Sequence, residues 1–264
     1  MDQAIAYIVE ILPAFAGRYH AVAPNQRGYG LSGKPEGVDA YRIKHLVRDM
    51  LGLADQLSPD RPFNIVAHDW GASVGYAMAI AAPRRIAKLA ITNGVHPGPF
   101  QRALIEDEAQ RAASSYIHYL RDPRAEERLS ANGYEKLMGM LTRFGEQAWL
   151  TAEKRAGYLE AWSQPGALTG MLNWYRATPL VVPKVGEVVD MASVPKLDPA
   201  QLRVRMPHLL IWGMQDPALL PVSRASLADY CDHAVVLREI EGADHWVIHQ
   251  RREEVVGHLQ EFLA

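Results

Sequence analysis

The stretch Asn64-Ile65-Val66-Ala67-His68-Asp69-Trp70-Gly71-Ala72-Ser73 runs from an apolar tetrapeptide through an acidic residue into small residues. Asn64 to Ala67 suits a short buried strand, and Ser73 to Ala82, rich in Ala and Gly and closed by Pro83, suits a helix. Few residues separate the two, so the chain must turn sharply at Asp69. Such a turn needs small neighbours, which Ala67, Gly71, Ala72 and Gly75 supply. Strands that feed directly into helices build parallel sheets flanked by helices. The same alternation extends in both directions. Upstream, His20 to Pro24 is a predicted strand ended by the turn Arg27-Gly28-Tyr29-Gly30, and Leu46, Met50, Leu53 and Leu57 line one face of a helix. Downstream, Lys88–Asn93, Pro207–Trp212 and Ala234–Leu237 are predicted strands. A closing helix from about Arg252 to Leu263 has Val255, Val256, Leu259 and Phe262 on its apolar face.

The alternation stops at His96-Pro97-Gly98-Pro99. From there to Lys196 the signals are helical and richer in Arg, Glu and Tyr, with Pro179, Pro183 and Pro195 marking an irregular exit. The expected organisation is a core over 1–98, a helical insertion over 99–196 and a second part of the core over 197–264. Ile5, Ile8, Val9, Ile11 and Leu12 follow a helical period, so the chain is expected to begin within a helix.

With 264 residues, 48% hydrophobic, the chain has enough apolar surface for a substantial core. The formal net charge is -2 and no block of Lys and Arg occurs, which points away from nucleic acid and anionic membrane surfaces. No run reaches the roughly 20 apolar residues of a membrane span, and the first residues lack a signal-peptide layout. The single cysteine, Cys231, permits no internal disulfide, reads as an inert thiol and suits a cytoplasmic location.

Asp69 is the candidate nucleophile. An Asp at a helix start is by itself an ordinary cap. Here it occupies a strand-to-helix elbow that raises its side chain above the carboxyl edge of the sheet, where open α/β folds bind ligands. Two other residues follow predicted strands in the same way. Asp216, in Gly213-Met214-Gln215-Asp216-Pro217, follows the next-to-last strand, and His245, in Ala243-Asp244-His245-Trp246, follows the last. Alone, the first reads as a turn residue and the second as a loop histidine. Taken together, they have the chain order nucleophile, acid, base, in which Asp216 orients His245 and His245 takes a proton from water. His68 reads as a packing residue beside the nucleophile. His96 and His118 have no partners at metal-ligand spacing, so no metal or cofactor is implied. The Gly-x-Gly of Gly28 to Gly30 is too short for a dinucleotide fingerprint and reads as a turn.

His68-Asp69-Trp70-Gly71, Arg27-Gly28-Tyr29-Gly30, Gly213-Met214-Gln215-Asp216 and Asp244-His245-Trp246 resemble, over essentially the whole chain, the epoxide hydrolases of the α/β-hydrolase superfamily. Their haloalkane dehalogenase relatives share the Asp nucleophile. The resemblance implies an α/β-hydrolase fold with an inserted helical cap, and two cap tyrosines that donate hydrogen bonds to the epoxide oxygen. Leu172-Asn173-Trp174-Tyr175-Arg176 matches one such segment and makes Tyr175 a candidate. Ser115-Tyr116-Ile117-His118-Tyr119-Leu120, followed by Arg121-Asp122-Pro123, resembles the other and favours Tyr116, with Tyr119 as the fallback. The Trp70 backbone N–H is the implied oxyanion donor. The family's second donor comes from a His-Gly-x-Pro loop that this sequence does not contain, and Asn25 stands where relatives usually carry Asp. A small apolar epoxide and water are the implied reactants, and a homodimer is an open expectation. Two alternatives stand beside epoxide opening. One is a haloalkane or haloacid dehalogenase with Trp70 holding halide, and the other is a non-catalytic or truncated protein of this fold.

Overall fold

The computed structural model describes residues 9–143, 145 and 147–264. Ile5 and Ile8 of the expected first helix lie outside these residues, and Leu12–Ala14 forms a short 3-10 turn. Two compact units divide the chain, one made of 1–46 and 116–178 and the other of 47–115 and 179–264.

The second unit holds the sheet. Its strands are β1 (Phe63–His68), β2 (Ile86–Thr92), β3 (His208–Gly213) and β4 (Val235–Ile240), all parallel and in the order β1-β2-β3-β4. Burial follows position in that order. All six residues of β3 are buried, whereas β1 and β4 are mostly half-buried or exposed, as expected of edges. The Leu-Leu-Ile-Trp run of β3 is apolar on both faces because both faces are covered.

Helix α1 (Ile43–Leu57) precedes β1, and α2 (Asp69–Ala81) leaves it without an intervening loop. Helices α3 (Pro97–Glu106) and α4 (Glu108–Ala113) follow β2. His96 caps α3 by accepting from the Gly98 N–H at 3.2 Å through Nδ1, and Asp107 caps α4 by accepting from the Gln110 N–H at 2.7 Å.

The first unit contributes α5 (Tyr116–Arg121), α6 (Ala125–Thr142), α7 (Ala152–Ser163) and α8 (Ala167–Ala177). Leu120, Leu129, Leu137, Trp162, Leu172 and Trp174 are buried. Helix α6 is broken at Ala131–Tyr134, where Asn132, Gly133 and Tyr134 take positive φ. Helix α8 is fastened at several points. Trp174 Nε1 donates to the Arg27 carbonyl at 2.9 Å, Arg121 Nε donates to the Tyr175 carbonyl at 2.8 Å, and Arg176 pairs with both Glu126 oxygens at 2.6 and 2.7 Å. Gly28, at φ +91°, lets its turn press on Gly170; a Cβ at Gly28 would lie 3.1 Å from the Gly170 carbonyl carbon. The expected turn at 27–30 is therefore present, with Gly28 N donating to the Gly33 carbonyl at 3.0 Å.

The last helices of the chain, α9 (Val247–Gln250) and α10 (Arg252–Leu263), belong to the sheet unit, and α10 buries Val255, Leu259 and Leu263. One expected strand does not form. His20 to Pro24 has no strand structure, and Val22 is 45% exposed. An extended apolar run becomes a strand only when a neighbour takes its backbone hydrogen bonds, and no strand among the described residues pairs with this one.

Candidate active site

Asp69 is the residue at which β1 becomes α2. Its φ is +46°, in the left-handed region that non-glycine residues adopt at a steric cost of about 1–2 kcal/mol. Close packing around it sustains the conformation. A Cβ at Gly94, just beyond β2, would fall 2.2 Å from Ala72 Cβ and 3.6 Å from the Asp69 nitrogen. At Gly75 a Cβ would touch Ile65 and Ala67 at 3.3 and 3.4 Å. Ala67, Ala72 and Gly75, which marked the turn in the sequence, thus make these close contacts together with Gly94.

The site grows from the ends of the other strands. His245 lies on the turn between β4 and α9, with Nε2 3.4 Å from Asp69 Oδ1 and Nδ1 2.8 Å from Asp216 Oδ2. Its backbone is pinned as well, since its carbonyl accepts from His68 Nε2 at 2.8 Å. The flanking turn is closed by Asp244, whose Oδ1 accepts from the Trp246 N–H at 2.7 Å and whose N–H donates to Gln250 Oε1 at 2.8 Å. The Asp69 side chain keeps 18% of its surface exposed, while that of His245 keeps 6% and that of Asp216 none. Asp69 is thus the most exposed of the three side chains.

Asp216 follows β3, and its buried carboxylate is fully partnered. Oδ1 accepts from the Ala218 and Leu219 N–H groups, both at 2.9 Å, and Oδ2 accepts from Asn93 Nδ2 at 2.9 Å and from His245. Burial pushes its pKa up, but the charge and hydrogen bond of His245, the Leu219 N–H and Asn93 outweigh it, so the net shift is downward. An ionised carboxylate has only acceptors to offer. His245 Nδ1 must then be the donor, which leaves Nε2 as the ring nitrogen that faces Asp69.

Three further residues escaped the sequence reading. Asn93 was visible only as a strand end. It has φ +33°, is fully buried, and joins the ends of β2 and β3: Gly213 N donates to its Oδ1 at 2.8 Å and its Nδ2 reaches Asp216. Gln110 of α4 holds the loop after Asp216, donating to the Ala218 carbonyl at 2.8 Å and accepting from the Leu220 N–H at 2.9 Å. Gly94 is the third. The rule that singled out Asp69, Asp216 and His245, a polar residue just past a strand, applies equally to Asn93.

In the first unit, Tyr116 and Tyr175 meet edge to face with ring centroids 6.2 Å apart. Tyr175 is 3% exposed and Tyr116 half-buried. The Tyr119 ring lies elsewhere, under Lys136 Nζ at 4.3 Å and Arg128 Cζ at 5.7 Å. Cys231 is buried, and burial pushes its thiol up to about 11, which makes it a poor nucleophile at neutral pH. Among the described residues no group of three or more His, Cys, Asp or Glu side chains could hold a metal ion. No helix of the described residues is long and apolar enough to cross a membrane.

A carboxylate on a strand-to-helix elbow, backed by a His and a buried Asp from later strand ends, defines a hydrolase of the α/β class. Comparison with known proteins agrees. The family model for the α/β hydrolase fold matches residues 5–251. The AB hydrolase superfamily protein YfhM of Bacillus subtilis is 33% identical over 96% of this chain and 84% of its own length. Epoxide hydrolase A of Mycobacterium tuberculosis is 30% identical, again over 96% of this chain and 84% of its own. A solved structure described among novel epoxide hydrolases from metagenomes of hot environments superposes with a TM-score of 0.87 at 31% identity, covering all of this chain and 87% of that one. The chain belongs to the α/β-hydrolase fold family and, within it, to the epoxide hydrolases.

Proposed function

We propose that this chain opens epoxides to vicinal diols through a covalent ester on Asp69. The observation that carries the reading is the continuous contact from Asp69 Oδ1 to His245 Nε2 at 3.4 Å and from His245 Nδ1 to Asp216 Oδ2 at 2.8 Å. In the first step an Asp69 oxygen attacks an epoxide carbon and the ring C–O bond breaks. Tyr116 and Tyr175 hydrogen-bond the departing oxygen and supply its proton, because an alkoxide leaves poorly without one. The meeting of these two rings favours Tyr116 over Tyr119 as the second donor. In the second step His245 Nε2 takes a proton from water, whose oxygen attacks the Asp69 carbonyl carbon. The Trp70 N–H, in the first turn of α2, steadies the oxyanion; as the ester C–O bond breaks, the His245 proton goes to the departing diol oxygen, and the proton left on the Asp69 carboxyl restores the phenol that gave one up in the first step. The segment 99–196 acts as the cap that supplies the acid. A small apolar epoxide and water are the only reactants this scheme requires.

A single turnover in heavy-oxygen water, with enzyme in excess over a panel of terminal epoxides, tests the reading. The expected result is unlabelled diol with the label in the Asp69 carboxylate. Label in the diol after one turnover would mean direct attack by water and would overturn the ester. Halide release from haloalkanes without diol from epoxides would assign the same nucleophile to dehalogenation instead.

A further inference from the structure

We propose that Asn93 is a positioning residue for the water-activating half of the reaction, acting through Asp216 on His245. The inference rests on the ester mechanism above. Asp216 Oδ2 has two partners, His245 Nδ1 at 2.8 Å and Asn93 Nδ2 at 2.9 Å. The other oxygen, Oδ1, is held by two N–H groups of its own loop. Asn93 ties the carboxylate to the ends of β2 and β3. The Asn93 backbone N–H donates to the Ile211 carbonyl at 3.0 Å, and its side chain both accepts from Gly213 N at 2.8 Å and donates to the Gly213 carbonyl at 3.3 Å. The Gly213 N–H requires an acceptor on one branch of the Asn93 amide, so the NH2 must point at Asp216. A second carboxylate at position 93 would give Asp216 a like charge instead of a donor, and an apolar residue would leave the Gly213 N–H and one Asp216 lone pair unsatisfied.

Gln110 provides a contrast. It holds Ala218 and Leu220 of the acid loop, and the four hydrogen bonds that the Asp216 carboxylate accepts come from other groups. The two residues therefore divide the task, Gln110 anchoring the loop and Asn93 aiming the charge. If so, removing the Asn93 amide should slow the step that needs an oriented His245 and spare the attack by Asp69. A purely structural role would slow both alike.

The experiment is rapid-quench mass spectrometry of the Asp69 ester with styrene oxide and 1,2-epoxyhexane as probes, on the wild-type protein and on Asn93→Ala, Asn93→Asp and His245→Gln. Asn93→Ala should form the ester within about threefold of the wild-type rate and hydrolyse it about ten- to a hundredfold more slowly, as for loss of one hydrogen bond to a charged group. Asn93→Asp keeps the side-chain shape and the acceptor for Gly213 N, but it can donate to Asp216 only while protonated. Its hydrolysis rate relative to wild type should therefore fall as pH rises. Equal loss of both steps in Asn93→Ala, or a ratio for Asn93→Asp that is flat or rises with pH, would overturn the proposal. If Asn93→Ala does not fold, the Asn93→Asp profile decides alone. Absence of any ester in His245→Gln would instead overturn the mechanism on which the proposal rests. Ester in His245→Gln with unchanged Asn93 variants would overturn this proposal alone.

Discussion

The Asp216 carboxylate accepts four hydrogen bonds, two from backbone N–H groups, one from an amide and one from an imidazole. This number fits an anion held in one orientation, and it gives the Asp216→Asn variant a definite consequence. An amide at 216 would present NH2 to groups that are themselves donors, and His245 would lose the partner that fixes its tautomer. Ester hydrolysis is expected to fall on the order of a thousandfold or more, with ester formation affected far less; loss of ester formation in step with hydrolysis would contradict this. At the other reactant pole, Tyr116→Phe with Tyr175→Phe removes the proposed acid. The double variant should form the ester from epoxides at least about a hundredfold more slowly, and unchanged rates would point to a leaving group that needs no proton. Asp69, Asp216 and His245 were readable because each follows an apolar run and each has turn residues around it. Asn93 was not, because a strand-end Asn looks the same whether it merely ends a strand or reaches 123 residues along the chain to a carboxylate.

At the scale of elements, the elbow depends on the close approach of α2 to the end of β2. Gly94 is the point of contact: a methyl group there would overlap Ala72 Cβ at 2.2 Å. Gly94→Ala is expected to destabilise the protein by about 1–3 kcal/mol through overpacking, and to lower activity beyond that loss by displacing Asp69. Urea unfolding read beside the single-turnover rate checks both, and a wild-type midpoint would show that the contact relaxes at no cost. The four strands of the sheet were legible as short apolar runs, β1 and β4 included, although these two are mostly half-buried or exposed. His20 to Pro24 has the same local signal and forms no strand, because pairing is a property of two segments and the signal reports one. The boundary of α2 shows a finer limit. Pattern alone starts it at Ser73, whereas the helix begins at Asp69, since the elbow residues are too small and mixed to show a period.

Across the whole molecule, composition and contact divide the chain differently. Helical composition begins at His96–Pro99, yet α3 and α4 group with the sheet, and the helical unit takes up 116–178 with 1–46. Composition reports secondary structure; which elements share a core depends on contacts such as Gln110 with the loop after Asp216, which no local pattern encodes. Besides His68 and His245, the sheet unit carries two further buried histidines, His96 and His208. His208 Nδ1 donates to the Leu89 carbonyl at 3.1 Å while Nε2 accepts from Tyr76 Oη at 2.9 Å, and His96 Nε2 donates to the Leu202 carbonyl at 2.9 Å. Each ring is satisfied as a neutral group, and burial lowers both pKa values to about 4. Because the unfolded chain takes up these protons near pH 6.5 and the folded chain only near 4, stability is full above pH 6.5 and falls as pH drops between those values. The loss reaches about 3 kcal/mol for each histidine. Asp216, whose pKa is lowered, adds its own loss only below the ordinary carboxylate range. Urea midpoints should decline steadily from pH 6.5 to 4, and a flat profile between pH 6.5 and 5 would contradict the neutral assignment.

The central claim is that Asp69 carries the substrate as an ester that His245 is needed to release. Intact-protein and peptide mass spectrometry of His245→Gln after incubation with a panel of terminal epoxides tests it most directly. A stable adduct of one epoxide mass is expected on the peptide that contains Asp69, absent from the Asp69→Asn variant. Diol produced by the wild-type protein with no adduct on Asp69 in His245→Gln would contradict it.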